Sequence, residues 1–288
     1  MRSPFAALAA LAACALPLAG CGAPATPAPA TDGGIRIVAS FYPLQWLAGR
    51  VAGDGVDVAS LTPKGAEPHD SELEISQVSA LGDADLLVTL TGFQAAVDAA
   101  VEANPPKRLL DVGPIVGLEG EDPHFWLDPT RLAKAAAPIA EALGLADAAG
   151  AAGYEERAAA VAEELARLDA ELAAGLAPFA DAYLVTTHAA FNYFAERYGL
   201  NQVAVAGIDP EAEPTPARLT EVKRQLEGKP VKTVYFEEYA SPKTAEALAA
   251  DLGLATGRLN PIETDESGDY LAAMRQNLSE LVQGLVRP

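Results

Sequence analysis

The sequence predicts an α/β fold in which two (β/α) lobes with parallel sheets are joined by a long connecting helix. Short runs of Val, Ile and Leu alternate with helical stretches in two separate parts of the 288-residue chain. Such alternation is typical of parallel strands joined by helices. An Ala-, Glu- and Leu-rich region lies between the two parts, and a hydrophobic fraction of 50% supplies enough apolar side chains for two cores.

The start of the chain is predicted to be a leader and not part of the fold. An apolar run from Phe5 to Leu18 follows Arg2, and it is too short to span a bilayer comfortably but correctly built for a signal peptide. The run ends in the segment LAGC, which resembles the lipobox of bacterial lipoproteins. We therefore predict a lipoprotein signal peptide over residues 1–20 and lipid attachment at Cys21.

The remainder of the chain is predicted to divide into four parts. Residues 21–34 are rich in Pro, Ala, Thr and Gly without an apolar face, which is typical of a flexible tether. Residues 35–150 form the predicted N-terminal lobe, residues 151–177 the connecting helix and residues 178–288 the C-terminal lobe. Leucines spaced three and four residues apart indicate that the connecting helix is amphipathic.

Within the two lobes, periodicity predicts strands and helices in alternation. In the first lobe, the predicted strands cover residues 35–39, 56–61, 85–90 and 108–112, and the predicted helices cover residues 44–51, 78–81 and 93–102. In the second lobe, the predicted strands cover residues 182–186, 202–206 and 233–237, and the predicted helices cover residues 191–198, 217–226, 243–252 and 269–286.

Charge and cysteine content argue against a nucleic-acid partner and against a fold stabilised by disulfides. The formal net charge is −20, so an acidic surface would repel nucleic acid and we expect no such partner. The only cysteines are Cys14, inside the predicted leader, and Cys21. The mature chain therefore has no cysteine pair for a disulfide and must be stabilised by packing.

The chain contains three histidines, and all of them lie in short polar or Pro-bounded segments next to predicted strand ends or helix starts. They are His69, His124 and His188. Loops at the carboxyl ends of parallel strands line the ligand crevice of such folds, and imidazole is a common ligand of zinc and its neighbours. The residues thus indicate a candidate metal site in the crevice between the lobes.

A zinc enzyme is the alternative reading of three histidines, because three imidazoles and a water also form a catalytic zinc site. The sequence holds no HExxH segment, nucleophile elbow or Gly-rich phosphate loop. We therefore expect a binding protein and not an enzyme.

Several longer segments carry a resemblance to a known family. They are VASFYPL at 38–44, GAEPHD at 65–70, DPHFWLDP at 122–129, THAAFNYF at 187–194, YGL at 198–200 and YFEE at 235–238. With these segments in this order, residues 35–286 resemble the cluster A-I substrate-binding proteins of ABC transporters, the ZnuA-like and TroA-like zinc and manganese lipoproteins.

The resemblance implies which residues hold the metal. His69 and His124 fall at the two histidine positions of the family's first lobe, and His188 falls at the third position. In the family that the chain resembles, this third position carries a glutamate in manganese binders and a histidine in zinc binders, so Zn²⁺ is expected and Mn²⁺ is less favoured. The loop at 116–121 is short and lacks the histidine-rich insertion of many zinc members.

The fourth ligand is left open by the sequence. Asn260 aligns with a position that often carries an aspartate, while Glu67, Asp265 or a water could also complete the set. A water or a nearby carboxylate is favoured over Asn260, because a neutral amide is a poorer ligand. Glu237 and Glu238 follow a predicted strand, and one of them could hydrogen-bond a ligand imidazole.

The function implied by the resemblance is high-affinity capture of a divalent metal, zinc, outside the cytoplasm and its delivery to the permease of an ABC importer. The protein is expected to be a monomer, anchored by the lipid on Cys21 at the periplasmic face or at the cell surface. The alternatives are a manganese- or iron-binding member of the same family and a surface adhesin lipoprotein that uses the same fold.

Overall fold

The computed structural model describes residues 34–237, 243–264 and 268–288. These residues belong to one compact unit that extends from residue 33 to residue 288. The predicted leader and almost all of the predicted tether lie outside the described residues, as do two candidate site residues, Glu238 and Asp265.

The first sheet is formed by four short parallel strands. They are β1 (Ile37–Ala39), β2 (Val58–Ser60), β3 (Leu86–Thr89) and β4 (Leu109–Asp111), in the spatial order β2-β1-β3-β4. The helices of this lobe are α1 (Tyr42–Ala52), α2 (Ile75–Asp83), α3 (Ala95–Ala103), α4 (Gly113–Val116), α5 (Pro129–Ala133) and α6 (Ala136–Ala146). The central strands β1 and β3 are wholly buried, as expected for a parallel sheet that is covered on both faces.

The second sheet repeats this plan. Its strands are β5 (Tyr183–Thr186), β6 (Asn201–Ala204), β7 (Thr233–Glu237) and β8 (Ala255–Leu259), in the order β6-β5-β7-β8. Its helices are α8 (Asn192–Tyr198), α9 (Pro216–Leu226), α10 (Lys243–Leu252) and α11 (Tyr270–Gly284). All pairings in both sheets are parallel. The prediction of an α/β fold with two lobes of parallel strands is therefore confirmed.

A helix of 26 residues, α7 (Ala151–Leu176), links the two sheets along the chain. Its buried side chains include Val161, Leu165, Leu168 and Leu172, which repeat at helical spacing. The helix packs against α1, α5 and α6 of the first lobe and against α8 and α11 of the second. One continuous hydrophobic cluster consequently extends from the first lobe across α7 into the second. None of the described helices combines the length and the hydropathy needed to cross a membrane.

Strand β8 is absent from the sequence-based prediction. Only Leu259 of its five residues is buried, and Ala255, Thr256 and Arg258 are exposed. The segment therefore lacks the apolar run by which a buried strand is recognised. Its position at the sheet edge beside β7 explains this composition, and the pairing places Leu259 opposite Glu237.

Truncation of a buried leucine on α7 tests whether this helix stabilises the whole unit. Leu168 is fully buried, so Leu168→Ala is expected to lower the free energy of unfolding by about 2–5 kcal/mol through lost apolar contact and a residual cavity. Urea denaturation followed by tryptophan fluorescence measures the change. Arg167→Ala, whose side chain is 65% exposed, is the matched control, with an expected change within about 0.5 kcal/mol. Equal effects of both variants would contradict this role of α7.

Candidate metal centre

Four loops bring four potential ligand side chains to one point between the lobes. His69 follows β2, His124 follows α4, His188 follows β5 and Glu263 follows β8. One donor atom from each side chain lies within 4.8 Å of the donor atoms of the other three. The three histidines predicted from the sequence are thus brought together, and a carboxylate that the sequence analysis did not single out joins them.

The spacing of these atoms suits a tetrahedral ion. His69 Nε2 and His124 Nε2 are 3.3 Å apart. Glu263 Oε1 lies 3.0 Å from His124 Nε2, 3.6 Å from His69 Nε2 and 3.7 Å from His188 Nε2. Four ligands at about 2.0–2.1 Å from a tetrahedral zinc ion would be separated by about 3.3–3.4 Å. These four separations bracket that value, and all the donor atoms lie within 4.8 Å of one another, so the four side chains can converge on one zinc ion.

His124 is held by Asp122 through one ring nitrogen and through its backbone N–H. Its Nδ1 lies 2.7 Å from Asp122 Oδ1, and Asp122 Oδ1 also accepts the backbone N–H of His124 at 3.0 Å. The other carboxylate oxygen of Asp122 accepts a hydrogen bond from Asn192 Nδ2, at 2.9 Å, on helix α8 of the second lobe. An Nδ1 bound in this way directs Nε2 and its lone pair toward the site.

His188 is oriented by the same kind of contact. Its Nδ1 is hydrogen-bonded to Glu237 Oε1 at the end of β7. Glu237 is therefore the second carboxylate that holds an imidazole, and it is one of the two residues expected to do so. The Nε2 of His188 is buried and has no hydrogen-bond partner within the described part of the chain. A buried imidazole nitrogen without a partner is costly unless something else binds there, which supports a cation at this point.

His69 is the most accessible of the four residues, with 11% of its side chain exposed. Its ring stands edge-on to Phe93, with 4.7 Å between ring centroids. Glu67 accepts hydrogen bonds from the backbone N–H groups of His69 and Asp70, at 3.0 and 3.2 Å. The Glu67 carboxylate therefore stabilises the loop of His69, and its Oε1 lies 4.0 Å from His69 Nε2.

Asn260 faces the backbone of its own turn. Its Oδ1 accepts the N–H of Ile262 at 2.7 Å, an Asx-type contact that occupies the oxygen through which Asn would bind a metal. The other two candidates of this region, Asp265 and Glu238, lie outside the described residues.

Glu263 and Asp122 are the functional residues that sequence reasoning did not single out. Glu263 lies only three positions after Asn260, but the preceding strand β8 has no apolar run that predicts it from the sequence. Asp122 lies two positions before His124 in the DPH segment. Proximity to a candidate histidine was the available signal for Asp122, whereas only the unrecognised strand could have indicated where the Glu263 side chain points.

Burial and charge together determine protonation at this site. Burial raises the pKa of the Glu263 carboxyl, but the close imidazoles of His124, His188 and His69, of which His124 is hydrogen-bonded to it at 3.0 Å, outweigh burial and hold the pKa well below its ordinary value. Burial lowers the pKa of His188, but Glu237 and Glu263 outweigh it and raise the pKa to about 10. The His124 pKa is raised in the same way by Asp122 and Glu263 against burial. Without a metal, protons thus provide the positive charge.

Several cavities adjoin the four side chains. One has a volume of about 180 Å³ and is lined on its acidic side by Glu67, Glu211, Glu237 and Glu263. Another has a volume of about 440 Å³, and its lining includes His69, Phe93, Glu121, Asp122 and Ile208. Small ions therefore have space to approach the site, and carboxylates line both of these cavities.

This fold and this site define a two-lobed α/β binding protein with a candidate metal centre between its sheets. The family described as zinc-uptake complex component A, periplasmic (ZnuA) matches residues 37–284. The chain belongs to this family.

Individual relatives agree with this assignment. The zinc-binding lipoprotein AdcA of Streptococcus pneumoniae is 34% identical over 280 residues, which cover 88% of this chain and 56% of AdcA. The chain thus spans little more than half of that relative. The high-affinity zinc uptake system protein ZnuA of Bacillus subtilis is 30% identical, with 96% of each chain covered.

A solved structure with a similar fold is that of the laminin-binding protein Lmb of Streptococcus agalactiae, which is described as bifunctional, with adhesin and metal transporting activity. The TM-score is 0.80 and the sequence identity is 33%, and the match covers 87% of this chain and 99% of Lmb.

The His188 pKa predicts how the stability of the metal-free protein depends on pH. Because this pKa is raised from 6.5 to about 10, the folded state binds the proton more tightly than the unfolded chain. The resulting stabilisation is fully present below pH 6.5 and is lost as pH rises through about 10. In chelator-treated protein we expect the free energy of unfolding to fall across this interval by an amount on the order of a few kcal/mol.

Urea denaturation at a series of pH values measures this effect. His188→Gln removes the titrating group and should flatten the interval relative to the wild type, because groups remote from the site titrate equally in both proteins. Parallel pH profiles for the two proteins would contradict the assignment of the raised pKa to His188.

Proposed function

We propose that this protein captures Zn²⁺ outside the cytoplasm and delivers it to the permease of an ABC importer. The observation that carries the proposal is the set of four donors, His69, His124, His188 and Glu263, spaced as a tetrahedral zinc site requires. Family membership and the names of the zinc-binding relatives support the same conclusion.

The donor set favours zinc over manganese. Three imidazoles and one carboxylate are typical of zinc, whereas Mn²⁺ prefers more oxygen ligands in octahedral geometry. Neutral imidazoles and one carboxylate also leave a bound divalent cation with only part of its charge compensated. The nearby Asp122 and Glu237 carboxylates supply the remaining negative charge through the Nδ1 atoms that they contact.

Delivery and location form the rest of the proposal. The protein is proposed to be a monomeric binding subunit without catalytic activity, with the ATPase and permease as separate chains. It is held at the extracytoplasmic side of the cell membrane by a lipid on Cys21, through the tether at 21–34. The match to relatives named as lipoproteins and zinc uptake proteins supports this arrangement.

A second candidate function is adhesion. The similarity to Lmb, a protein described as an adhesin as well as a metal transporter, favours it. Adjacent genes for an ABC permease and ATPase would support transport as the primary role, and their absence would favour adhesion.

Metal analysis tests the zinc site. A soluble form without residues 1–21 is dialysed against a buffer that contains both zinc and manganese, and bound metal is measured by plasma mass spectrometry. About one zinc per chain is expected for four converging ligands. His188→Ala and Glu263→Gln should each lose most of the zinc after a second dialysis against a weak chelator, because each removes one ligand.

The matched control is Glu211→Gln. Glu211 is an exposed residue that lines the acidic cavity but lies outside the group of four donors, so this variant should retain the zinc of the wild type. Absence of stoichiometric metal, or manganese in place of zinc, would refute the proposed function.

Cys21→Ser tests the lipid anchor. Without the thiol there is no atom for lipid attachment, so radiolabelled palmitate incorporation should be lost and the protein should leave the washed membrane fraction or accumulate as precursor. Cys14→Ser, in the predicted leader, is the control and should be labelled as the wild type. Undiminished labelling of Cys21→Ser would rule out this anchor.

A further inference from the structure

The turn that carries Glu263 has an unusual backbone conformation. Ile262 has φ = 59°, in the left-handed region, where a β-branched residue is a genuine outlier. Its side chain is fully buried in the main hydrophobic cluster. Such a conformation costs free energy and persists only where the surroundings determine it. Something therefore holds this turn in place directly before the candidate ligand.

The contacts of the turn identify what holds it. Asn277, on α11, donates from Nδ2 to the carbonyl oxygen of Asn260 at 2.7 Å and accepts the N–H of Asn260 on its Oδ1 at 2.8 Å. Both halves of one amide thus bind the main chain of one residue. Trp126 Nε1 donates to the carbonyl oxygen of Pro261 at 2.7 Å. Together with the Asx contact from Asn260 to Ile262, these bonds fix three consecutive residues.

Asn277 lies at a position where an apolar residue is expected. The buried positions of α11 are Tyr270, Ala273, Met274, Asn277 and Leu281, which form one helical stripe. Asn277 is 1% exposed, and a buried amide is unfavourable unless its hydrogen bonds are made. Its two bonds to Asn260 provide this compensation, and both lead to the turn of Glu263.

We propose that Asn277 is a positioning residue for metal binding. Its amide fixes the main chain of Asn260, so that Ile262 keeps its left-handed conformation and the Glu263 carboxylate faces the three histidine nitrogens. This inference depends on the proposed zinc site, but Asn277 itself is not a ligand and does not contact the metal. Replacement of the Asn277 amide should release the turn, and it should weaken zinc binding only because the Glu263 carboxylate is no longer held in place.

A double-mutant cycle on the mature chain separates positioning from general stabilisation. The variants are Asn277→Ala, Glu263→Gln and the two combined, and the zinc dissociation constant is measured by competition with a chromophoric chelator. Asn277→Ala should weaken zinc binding about 10- to 100-fold, as for other residues that orient a ligand. In the Glu263→Gln background the same change should alter affinity by less than about twofold, because the carboxylate through which Asn277 acts is already absent.

The cobalt form gives a second readout. Tetrahedral Co²⁺ has visible absorption that depends on its ligands, so Asn277→Ala should shift the spectrum toward that of Glu263→Gln. Asn104→Ala removes a comparable amide bond, to the carbonyl oxygen of Val78 at 3.0 Å in the first lobe. This control should leave both affinity and spectrum unchanged.

The outcomes are distinguishable. Wild-type affinity in Asn277→Ala, or losses that multiply in the double variant, would overturn the inference while leaving the zinc site intact. Failure of the wild-type protein to bind zinc would instead refute the proposed function. If circular dichroism shows that Asn277→Ala is unfolded, Asn277→Asp carries the test: it retains the acceptor for Asn260 N–H but cannot donate to the carbonyl, and a partial loss of affinity with native circular dichroism is expected.

Discussion

The close approach of four donor atoms is the constraint on which the rest of the site depends. Three imidazole nitrogens and a carboxylate oxygen lie within 4.8 Å of one another, and His124, His188 and Glu263 are almost fully buried. Burial leaves these groups little contact with bulk water, so a proton or a cation is needed to compensate their charge and lone pairs. In the metal-free protein, the raised pKa of His188 and the depressed pKa of Glu263 show that a protonated imidazole beside an ionised carboxylate provides this compensation.

Rigid surroundings are needed to keep such an arrangement in place, and here they come from both lobes. Asp122 of the first lobe holds His124 and is itself bound by Asn192 of the second. Trp126 of the first lobe is bonded to the backbone of Pro261, next to the turn of Glu263, and its own carbonyl oxygen accepts the Tyr270 hydroxyl at 2.5 Å. Some of the bonds that support the ligands are therefore also bonds between the lobes, so lobe packing and ligand geometry are linked.

Much of the fold could be predicted because its strands are apolar and its helices are periodic. Central strands such as β1 and β3 and the leucine stripe of α7 have patterns that hardly depend on their neighbours. Strand β8 could not be predicted in this way, since an exposed edge strand keeps its structure through hydrogen bonds to β7 and not through its own composition. Without β8, the sequence does not predict where the Glu263 side chain lies, because this strand leads directly to Glu263.

The sequence by itself determined the class of fold and the family, because strand and helix patterns are local. It identified His69, His124 and His188 as candidate ligands, because imidazole is a metal-binding group in any fold. It also indicated that Glu237 or Glu238 could orient an imidazole. Only the tertiary structure decided that Glu263 completes the group and that Asn260 faces its own backbone. That choice depends on the left-handed conformation of Ile262 and on Asn277, which lies 17 residues from Asn260 in the chain. Contacts between residues so distant in sequence arise from the packing of α11 against β8, which no local pattern encodes.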